Sequence, residues 1–249
     1  MDRFIYTALT GANAAMNRQR MVANNLANAS TPGFRKEVFA VKPSVLRDGS
    51  LEARAPARGN VRGADLAPAR VNPTGNPMDI AVQGQALIAF QGPGNQGGEV
   101  YSRRGDLRIA PTGLLENGEG LAVLGEGGGP ITVPQGFPVT ISGDGTVLAQ
   151  DPNAPGAQPQ QIGRIKLVSP EGSQLAKGID TFMKVPGGGV LPPDPTARVN
   201  SGSLEQSNVE TAETLVAMIE AQRAFEQRMQ VMSTAGELDE SSARLMSLR

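Results

Sequence analysis

The sequence predicts an α+β protein in which an antiparallel β domain, sandwich-like or barrel-like, has a helix at each end of the chain. Heptad patterns of apolar residues occupy the first 28 residues and the stretch after residue 208, and short runs with turn signals fill the middle. The 31 glycines and 19 prolines favour many turns. We therefore expect a coiled-coil-like helical domain from 1–36 and 205–249, an extended linker over 37–76, and a β-rich outer domain over 77–204.

The first helix is predicted from a seam whose members follow one another at alternating spacings of four and three residues. A spacing of this kind has a period of 3.5 residues, which is typical of helices that pair along one face. Ser30 to Gly33 should end the helix, because a proline disfavours the helical conformation of the residue before it. The seam consists of Ile5, Leu9, Ala12, Met16, Gln19, Ala23 and Leu26.

The strand signals lie between the helices. Residues 78–82 alternate apolar and other side chains, residues 86–90 are a short apolar run, and residues 162–168 predict a longer strand. Asn117-Gly118 predicts a hairpin turn, and residues 142–145 predict a second turn between two short strands. Strands at spacings of about ten residues are typical of antiparallel sandwiches and barrels.

The last helix is predicted to begin at a capping box formed by Ser207 and Glu210, and Gly236 is expected to interrupt its seam. Its seam alternates spacings of three and four residues through Leu215, Met218, Gln222, Phe225, Met229 and Met232. A helix this long cannot bury such a seam alone. The two seams either pair with each other or pair with copies in neighbouring molecules, and a seam wider than one partner can cover favours the second arrangement.

Three asparagines crowd the end of the first helix. Asn24 and Asn28 are four residues apart and share one face, and Asn25 lies beside them. Their amides can bind the last helical carbonyl groups, each other, or the backbone of a neighbouring chain. An ordinary asparagine-rich helix end and an assembly contact both remain open.

Composition argues against most enzymatic chemistry. The chain has no cysteine and no histidine, so thiolate nucleophiles, cysteine-bound metals and histidine bases are absent. A formal net charge of −1 gives no general attraction to nucleic acid or to anionic membranes. No run approaches the ~18 apolar residues of a membrane-spanning helix, and the start of the chain does not read as a signal peptide. We therefore expect no catalytic, cofactor or metal site.

One competing class is a wall-modifying hydrolase or adhesin whose helical ends dimerise. Such a hydrolase would need two of its carboxylates to converge in a cleft. The residues available for this are Asp79, Glu99, Asp106 and Glu116.

Motifs at both ends resemble one known family. Residues 24–28 (N-N-L-A-N) with the turn at 30–34 (S-T-P-G-F) are similar to the N-terminal signature of the flagellar rod, hook and hook-associated axial proteins. Residues 202–209 (G-S-L-E-Q-S-N-V) and 218–226 (M-I-E-A-Q-R-A-F-E) resemble the C-terminal motifs of the same family.

The centre of the chain extends the resemblance. Residues 76–84 (N-P-M-D-I-A-V-Q-G) and 101–106 (Y-S-R-R-G-D) resemble strand motifs of the family. Residues 161–168 (Q-I-G-R-I-K-L-V) and the total length resemble its proximal-rod branch, with the distal rod and hook subunits as the alternative.

The resemblance implies a structural subunit of the flagellar basal-body rod that polymerises into a helical tube and transmits torque. Its partners would be copies of itself, other rod subunits and the flagellar type III export apparatus, with no nucleic acid and no membrane-spanning segment. Export would need no cleaved signal peptide, and the subunit would lie in the periplasmic rod. We expect the assembly residues to be Ile5, Leu9, Met16, Asn24, Asn25, Leu26, Asn28, Leu215, Met218, Gln222, Phe225, Met229 and Met232.

Overall fold

The computed structural model describes the chain over residues 2–43, 57–94, 98–154, 156–173, 175–177 and 181–247. The chain forms two compact units. The helical unit consists of Met1–Ala27, Glu37–Gly63 and Glu210–Arg249, and the β body consists of Asn28–Lys36 and Ala64–Val209.

The helical unit contains the two predicted helices. Helix α1 spans Asp2–Ala27 and helix α2 spans Thr211–Ser247. α1 ends where predicted, because Pro32 follows shortly and the N–H group of Thr31 turns back to donate to the carbonyl group of Asn28 at 3.1 Å. The backbone of α2 runs through Gly236 without a break, since one glycine costs a long helix only about 1 kcal/mol.

The stretch predicted as an extended linker, 37–76, contains strands. Strand β1 (Glu37–Pro43) pairs with strand β2 (Ala57–Ala64), and strand β3 (Val71–Pro73) lies in the β body. The composition of this stretch shows no periodicity, but strand pairing is made by backbone groups and needs no regular pattern of side chains.

The β body is a set of short strands joined by tight turns. The five-stranded sheet has the order β12-β5-β6-β14-β13, the three-stranded sheet has the order β11-β10-β9, and three two-stranded sheets pair β15 with β4, β16 with β3 and β7 with β8. Beyond β3, the strands are β4 Ile80–Val82, β5 Leu87–Gln91, β6 Glu99–Ser102, β7 Leu107–Ile109, β8 Leu115–Asn117, β9 Val139–Ile141, β10 Thr146–Ala149, β11 Gln160–Arg164, β12 Leu167–Val168, β13 Ala176–Lys177, β14 Met183–Lys184, β15 Val199–Ser201 and β16 Ser203–Glu205.

The pairings between these strands are antiparallel, so the predicted α+β class with a β-rich body is confirmed. Both predicted turns are also present. The N–H group of Gly120 donates to the carbonyl group of Asn117 at 2.9 Å, and that of Gly145 donates to Ser142 at 2.9 Å.

Strand β5 is the centre of the β body, because both of its faces are covered. Ile88 and Phe90 belong to the larger hydrophobic cluster, together with residues of the three-stranded sheet such as Val147. Leu87 and Ala89 point the other way and belong to a second cluster. A strand buried on both faces is a continuous apolar run, which explains why residues 86–90 show no alternation.

The single strand predicted over 162–168 is wrong. The structure divides it into β11 in the three-stranded sheet and β12 in the five-stranded sheet, with Ile165 between them in an isolated bridge to Gly125. Alternation along a single strand would place Lys166 on a polar face together with Arg164, but Lys166 is buried and donates to Glu99. A lysine can occupy such an inward position when a carboxylate neutralises its charge.

Candidate assembly site and the junction of the β body

Asn25 explains part of the asparagine motif inside the helical unit. Its side chain is buried, its Oδ1 accepts from the N–H group of Glu37 at 2.8 Å, and its Nδ2 donates to the carbonyl group of Glu37 at 3.1 Å. Asn24 Nδ2 donates to Glu37 Oε1 at 2.7 Å. Asn25 therefore satisfies both backbone groups at the first residue of β1, in the way a neighbouring strand would.

Replacing Asn25 with leucine should lower the free energy of unfolding by about 1–3 kcal/mol, because two backbone groups of Glu37 lose their buried partner. Chemical denaturation of the purified chain measures this. Asn28→Ala is the matched control, since Asn28 is only half-buried and its amide oxygen binds Thr31 in a local turn. Equal losses for the two variants would contradict the role assigned to Asn25.

α1 and α2 pair through small residues. The buried side chains of α1 include Ala12 and Val22, and the buried side chains in the described part of α2 are Thr214, Ala221 and Ala235. The three α2 positions are separated by multiples of seven residues, so they form one heptad position. At Gly11, an added Cβ would lie 3.0 Å from Arg228 Nη1, which places this glycine of α1 against α2.

The predicted α2 seam is divided by this packing. Met218, Phe225 and Met232 are half-buried, whereas Leu215, Gln222 and Met229 are exposed. The exposed three follow Thr214, Ala221 and Arg228 by one residue each, which turns them away from the inner heptad position. Gln222 donates to Glu226 on its own helix at 3.1 Å.

The predicted α1 residues are divided in a similar way. Met16, Leu26 and Asn28 are half-buried, Leu9 is exposed, and Ile5 lies in α1 with its side chain outside the described residues. The predicted residues of the N-terminal segment therefore differ in burial, and Leu9 is on the surface.

Three exposed apolar residues share one face of α2, and we call them the outer stripe: Leu215, Ile219 and Met229. Val216 and Val231 are exposed as well, but they lie on other sides of the helix. Leu215 is 49% exposed and Ile219 is 54% exposed, although both are large aliphatic side chains. Single exposed aliphatic residues are ordinary, but several of them along one helix are typical of an interaction surface.

A buried ion triad forms the junction of the β body, which we define as Arg35, Arg103 and Glu205. Arg35 Nη2 donates to Glu205 Oε1 at 2.7 Å, and Arg103 Nε donates to Glu205 Oε2 at 2.7 Å. The three residues are only 1–2% exposed. Burial lowers the pKa of both guanidinium groups from the ordinary value and Glu205 opposes that shift, so the carboxylate is what makes two buried cations tolerable.

Backbone groups complete the junction. Arg35 Nη1 donates to the carbonyl group of Ala67 at 2.7 Å, and Arg103 donates to those of Gly84 and Val82. Glu205 Oε1 also accepts from the N–H group of Ala69 at 2.8 Å. Arg35 and Glu205 therefore both hold the segment around residues 67–69, and Arg103 holds the segment of residues 82–84.

The junction holds together the two segments that adjoin the helices in sequence, residues 28–36 after α1 and residues 203–209 before α2. The N–H group of Gly33 donates to the carbonyl group of Glu205 at 2.8 Å, and the N–H group of Lys36 donates to Asn208 Oδ1 at 2.6 Å. Ser207 accepts from the N–H group of Val209 and α2 begins only at Thr211, so the predicted capping box at Ser207 is wrong.

Two glycines are required by close approach of the backbone. Gly33 has a φ of 67°, and a Cβ there would lie 2.3 Å from the carbonyl carbon of Arg103. A Cβ on Gly105 would lie 1.8 Å from the carbonyl oxygen of Ile80. Both contacts exclude any side chain, so these positions accept only glycine.

Tyr101 belongs to a second buried polar network. Its Oη donates to Glu99 Oε2 at 2.9 Å and accepts from the N–H group of Leu191 at 2.8 Å, while Lys166 Nζ donates to Glu99 at 2.7 Å. Burial raises the pKa of Tyr101 to about 12, and the neighbouring Glu99 carboxylate acts in the same direction.

The phenol of Tyr101 should therefore make stability depend on pH in the alkaline range. The unfolded chain releases this proton near pH ~10 and the folded chain near pH 12, so the contribution of roughly 2 kcal/mol is complete below pH ~10 and is lost as the pH rises toward 12. The chain has two tyrosines and no tryptophan, so phenolate absorbance of a Tyr6→Phe variant reports Tyr101 alone. A native midpoint near 10 would contradict this prediction.

The four carboxylates of the hydrolase alternative have separate structural partners. Asp79 accepts from Asn76, Glu99 binds Lys166, Asp106 binds Arg104 and Glu116 binds Arg108. Among the described residues no group of three or more acidic side chains could hold a metal ion. Neither described helix is apolar enough over a sufficient length to cross a membrane.

Arg35, Arg103 and Glu205 were absent from the predicted site. Each lies inside or beside one of the motifs, but Arg35 and Glu205 are 170 residues apart and no local pattern marks charged residues as buried. The neighbouring glycines could have indicated the junction, because Gly33 and Gly105 lie next to charged residues and make close backbone contacts.

Comparison with known proteins gives consistent matches at both ends of the chain. The family model for flagella basal body rod proteins matches residues 5–35, and the model for the C-terminal part of the flagellar basal body rod FlgEFG proteins matches residues 200–245. These two ranges contain Asn25, Arg35 and Glu205 as well as most of α1 and α2.

Full-length relatives agree with the two matches. The chain is 38% identical to the flagellar basal-body rod protein FlgF of Salmonella typhimurium and 38% identical to that of Escherichia coli, each over 254 residues and 100% of both chains. It is 34% identical to FlgF of Caulobacter vibrioides over 97% of each chain. The predicted membership of the proximal-rod branch of the axial proteins is confirmed.

Since the family models and the full-length relatives agree, the chain belongs to the family of flagellar basal-body rod proteins and is a structural subunit of that rod.

Proposed function

We propose that the chain polymerises into the proximal rod through its two terminal helices, and that the rod transmits torque. α1 and α2 pair inside each subunit through small residues, and the outer stripe of α2 then packs against helices of neighbouring rod subunits. The role is structural, without catalysis.

The observation that carries this proposal is the outer stripe itself. Although α1 and α2 are in contact, Leu215 and Ile219 remain about half exposed. The apolar face of α2 is thus wider than one partner helix covers. This is the condition under which a seam favours pairing with neighbouring molecules over pairing within one chain.

The energy available is sufficient for a stiff polymer. Burying one aliphatic side chain of this size stabilises a contact by about 1.5–3 kcal/mol. A tube in which each subunit buries a few such residues therefore needs no single strong contact. The heptad spacing of Thr214, Ala221 and Ala235 supports a coiled-coil-like packing. Small residues at this position let two helices approach closely, and the larger side chains one residue later stay outside that contact.

The finer architecture of the β body is also proposed. The five-stranded and three-stranded sheets share the cluster that contains Phe90 and Val147, and this arrangement supports a sandwich-like packing of the two sheets. We assign residues 77–204 to this outer domain and the terminal segments to the assembly domain.

The remaining parts of the proposal concern partners and place. The partners are copies of the same chain, other rod subunits and the flagellar type III export apparatus, and the assembled subunit lies in the periplasmic rod. A chain without cysteine suits export as an unfolded thread, because nothing can cross-link on the way.

The absence of cysteine allows a direct test with single-cysteine variants. Ile219→Cys should react readily with a maleimide in the free subunit and become protected in purified basal bodies, because neighbouring helices cover it. Glu171→Cys is the control, since Glu171 is an exposed residue of the β body and should react in both states. Equal reactivity of Ile219→Cys before and after assembly would exclude the outer stripe as the contact.

A further inference from the structure

The junction of the β body combines residues from three distant parts of the chain. Arg35 precedes the first strand of the body, Arg103 follows β6, and Glu205 is the last residue of β16. Glu205 carries the single negative charge of the triad, and it comes last in the sequence. Without it, two guanidinium groups with 1–2% exposure would face each other without a carboxylate between them.

Strand pairing also makes the β body depend on its C-terminal residues. β15 pairs with β4 through Val199 and Val82, and β16 pairs with β3 through Leu204 and Asn72. Strands β3 and β4 therefore lack these partners until residues 199–205 have arrived. Such distant pairings close late, because the entropy of a long loop is lost before their contacts form.

From these contacts we infer that Glu205 is a positioning residue that gates closure of the β body. The triad couples the folding of the body to both segments that adjoin the helices, so that residues 28–36, residues 203–209 and the central strand β5 form one cooperative unit. A chain that is delivered N-terminus first keeps an incomplete body until Glu205 has emerged, and α2 begins six residues later. This coupling is a property of the single chain and does not depend on assembly.

The coupling has a physical basis, because a buried cluster of two cations and one anion depends on the anion. With Glu205 present, each arginine has a charge-assisted hydrogen bond at 2.7 Å and the carboxylate accepts a third bond from Ala69. With Glu205 absent, the body would have to bury two cations that repel each other. The open body, in which both arginines are hydrated, is then the better state.

Native-state hydrogen exchange of the full-length chain, followed by mass spectrometry at increasing low concentrations of denaturant, tests the coupling. Peptides covering residues 31–36, 87–91 and 203–208 should converge on one opening reaction in the wild-type chain. Glu205→Gln should speed exchange in all three peptides together, on the order of 100-fold. Glu126→Gln, which removes a partly exposed ion pair with Arg164, should leave all three unchanged.

Two results would overturn the inference. The first is a wild-type chain in which residues 203–208 open by a separate, lower-energy reaction while 87–91 stays protected. The second is a Glu205→Gln chain in which only the adjoining segments lose protection. Because the wild-type measurement needs no variant, the inference stays testable even if Glu205→Gln does not fold.

Discussion

Replacing Glu205 with alanine is expected to lower the free energy of unfolding by about 3–5 kcal/mol, because the change leaves two buried guanidinium groups without their shared carboxylate. Part of the loss comes from the N–H group of Ala69, which also donates to Glu205. A domain of this kind has a total stability of only about 5–15 kcal/mol, so this one change removes a large share of it. Chemical denaturation monitored by circular dichroism measures the loss.

The matched control is Glu126→Ala. Glu126 also pairs with an arginine, Arg164, at 3.1 Å, but the two side chains are 41% and 24% exposed. Exposed pairs contribute about 0–1 kcal/mol, so this variant should unfold nearly as the wild-type chain does. If Glu205→Ala and Glu126→Ala had similar small effects, the triad would not be the structural centre of the junction.

The triad also predicts non-additive effects. Arg103→Met removes one of the two cations that Glu205 holds, so adding it to Glu205→Ala should cost much less than the sum of the two single changes. A double-mutant cycle by chemical denaturation measures this difference. Additive losses would mean that Arg103 and Glu205 act independently, in spite of the 2.7 Å contact between them.

The second large effect is expected on assembly and not on folding. Ile219→Asp should abolish incorporation of the subunit into the rod, because a carboxylate would have to be buried among apolar helix surfaces of neighbouring subunits. In the free chain Ile219 is 54% exposed, so the same change should leave the free energy of unfolding within about 0.5 kcal/mol of wild type. Swimming of a strain that carries only the variant chain gives the first readout.

Gln227→Asp is the matched control for charge and position. Gln227 lies on the same helix, is exposed, and is turned ~80° or more away from Leu215, Ile219 and Met229. The variant therefore adds the same negative charge away from the proposed contact. Cells with this variant should swim. Phe225 is a less suitable position for such a change than Ile219, since Phe225 is half-buried and a charge there would also disturb the subunit itself.

The sequence was sufficient for the elements with a strong local cause. The end of α1 follows from Pro32, the two turns follow from Asn117-Gly118 and Asp144-Gly145, and the apolar run of β5 follows from burial of both faces. In each case the physical reason lies within a few residues, so a reading of the chain alone finds it.

The phase of helix packing could not be predicted in the same way. In the described part of α2, the buried residues are Thr214, Ala221 and Ala235, which are less hydrophobic than the exposed Leu215 and Met229. A seam chosen by hydrophobicity favours the large residues. Close packing of two helices instead selects the small ones for the inner position, so the predicted seam mixes inner and outer faces.

Long-range features were invisible for a different reason. Arg35 reaches Glu205 across 170 positions, and Asn25 binds backbone groups of Glu37 after the chain has turned. Nothing in either neighbourhood distinguishes these residues from ordinary surface arginines and asparagines. The split of residues 162–168 between two sheets is similar, because the choice of partner strand depends on Gly125 and Ile88 elsewhere in the chain.

The amount of Ile219→Asp chain in purified basal bodies, measured by mass spectrometry beside Gln227→Asp and the wild-type chain, is the most direct test of assembly through the outer stripe. The expected result is wild-type abundance for Gln227→Asp and none for Ile219→Asp, with both free subunits equally stable. If Ile219→Asp were present in basal bodies at the wild-type level, the helices of neighbouring subunits would not be packed on the outer stripe of α2.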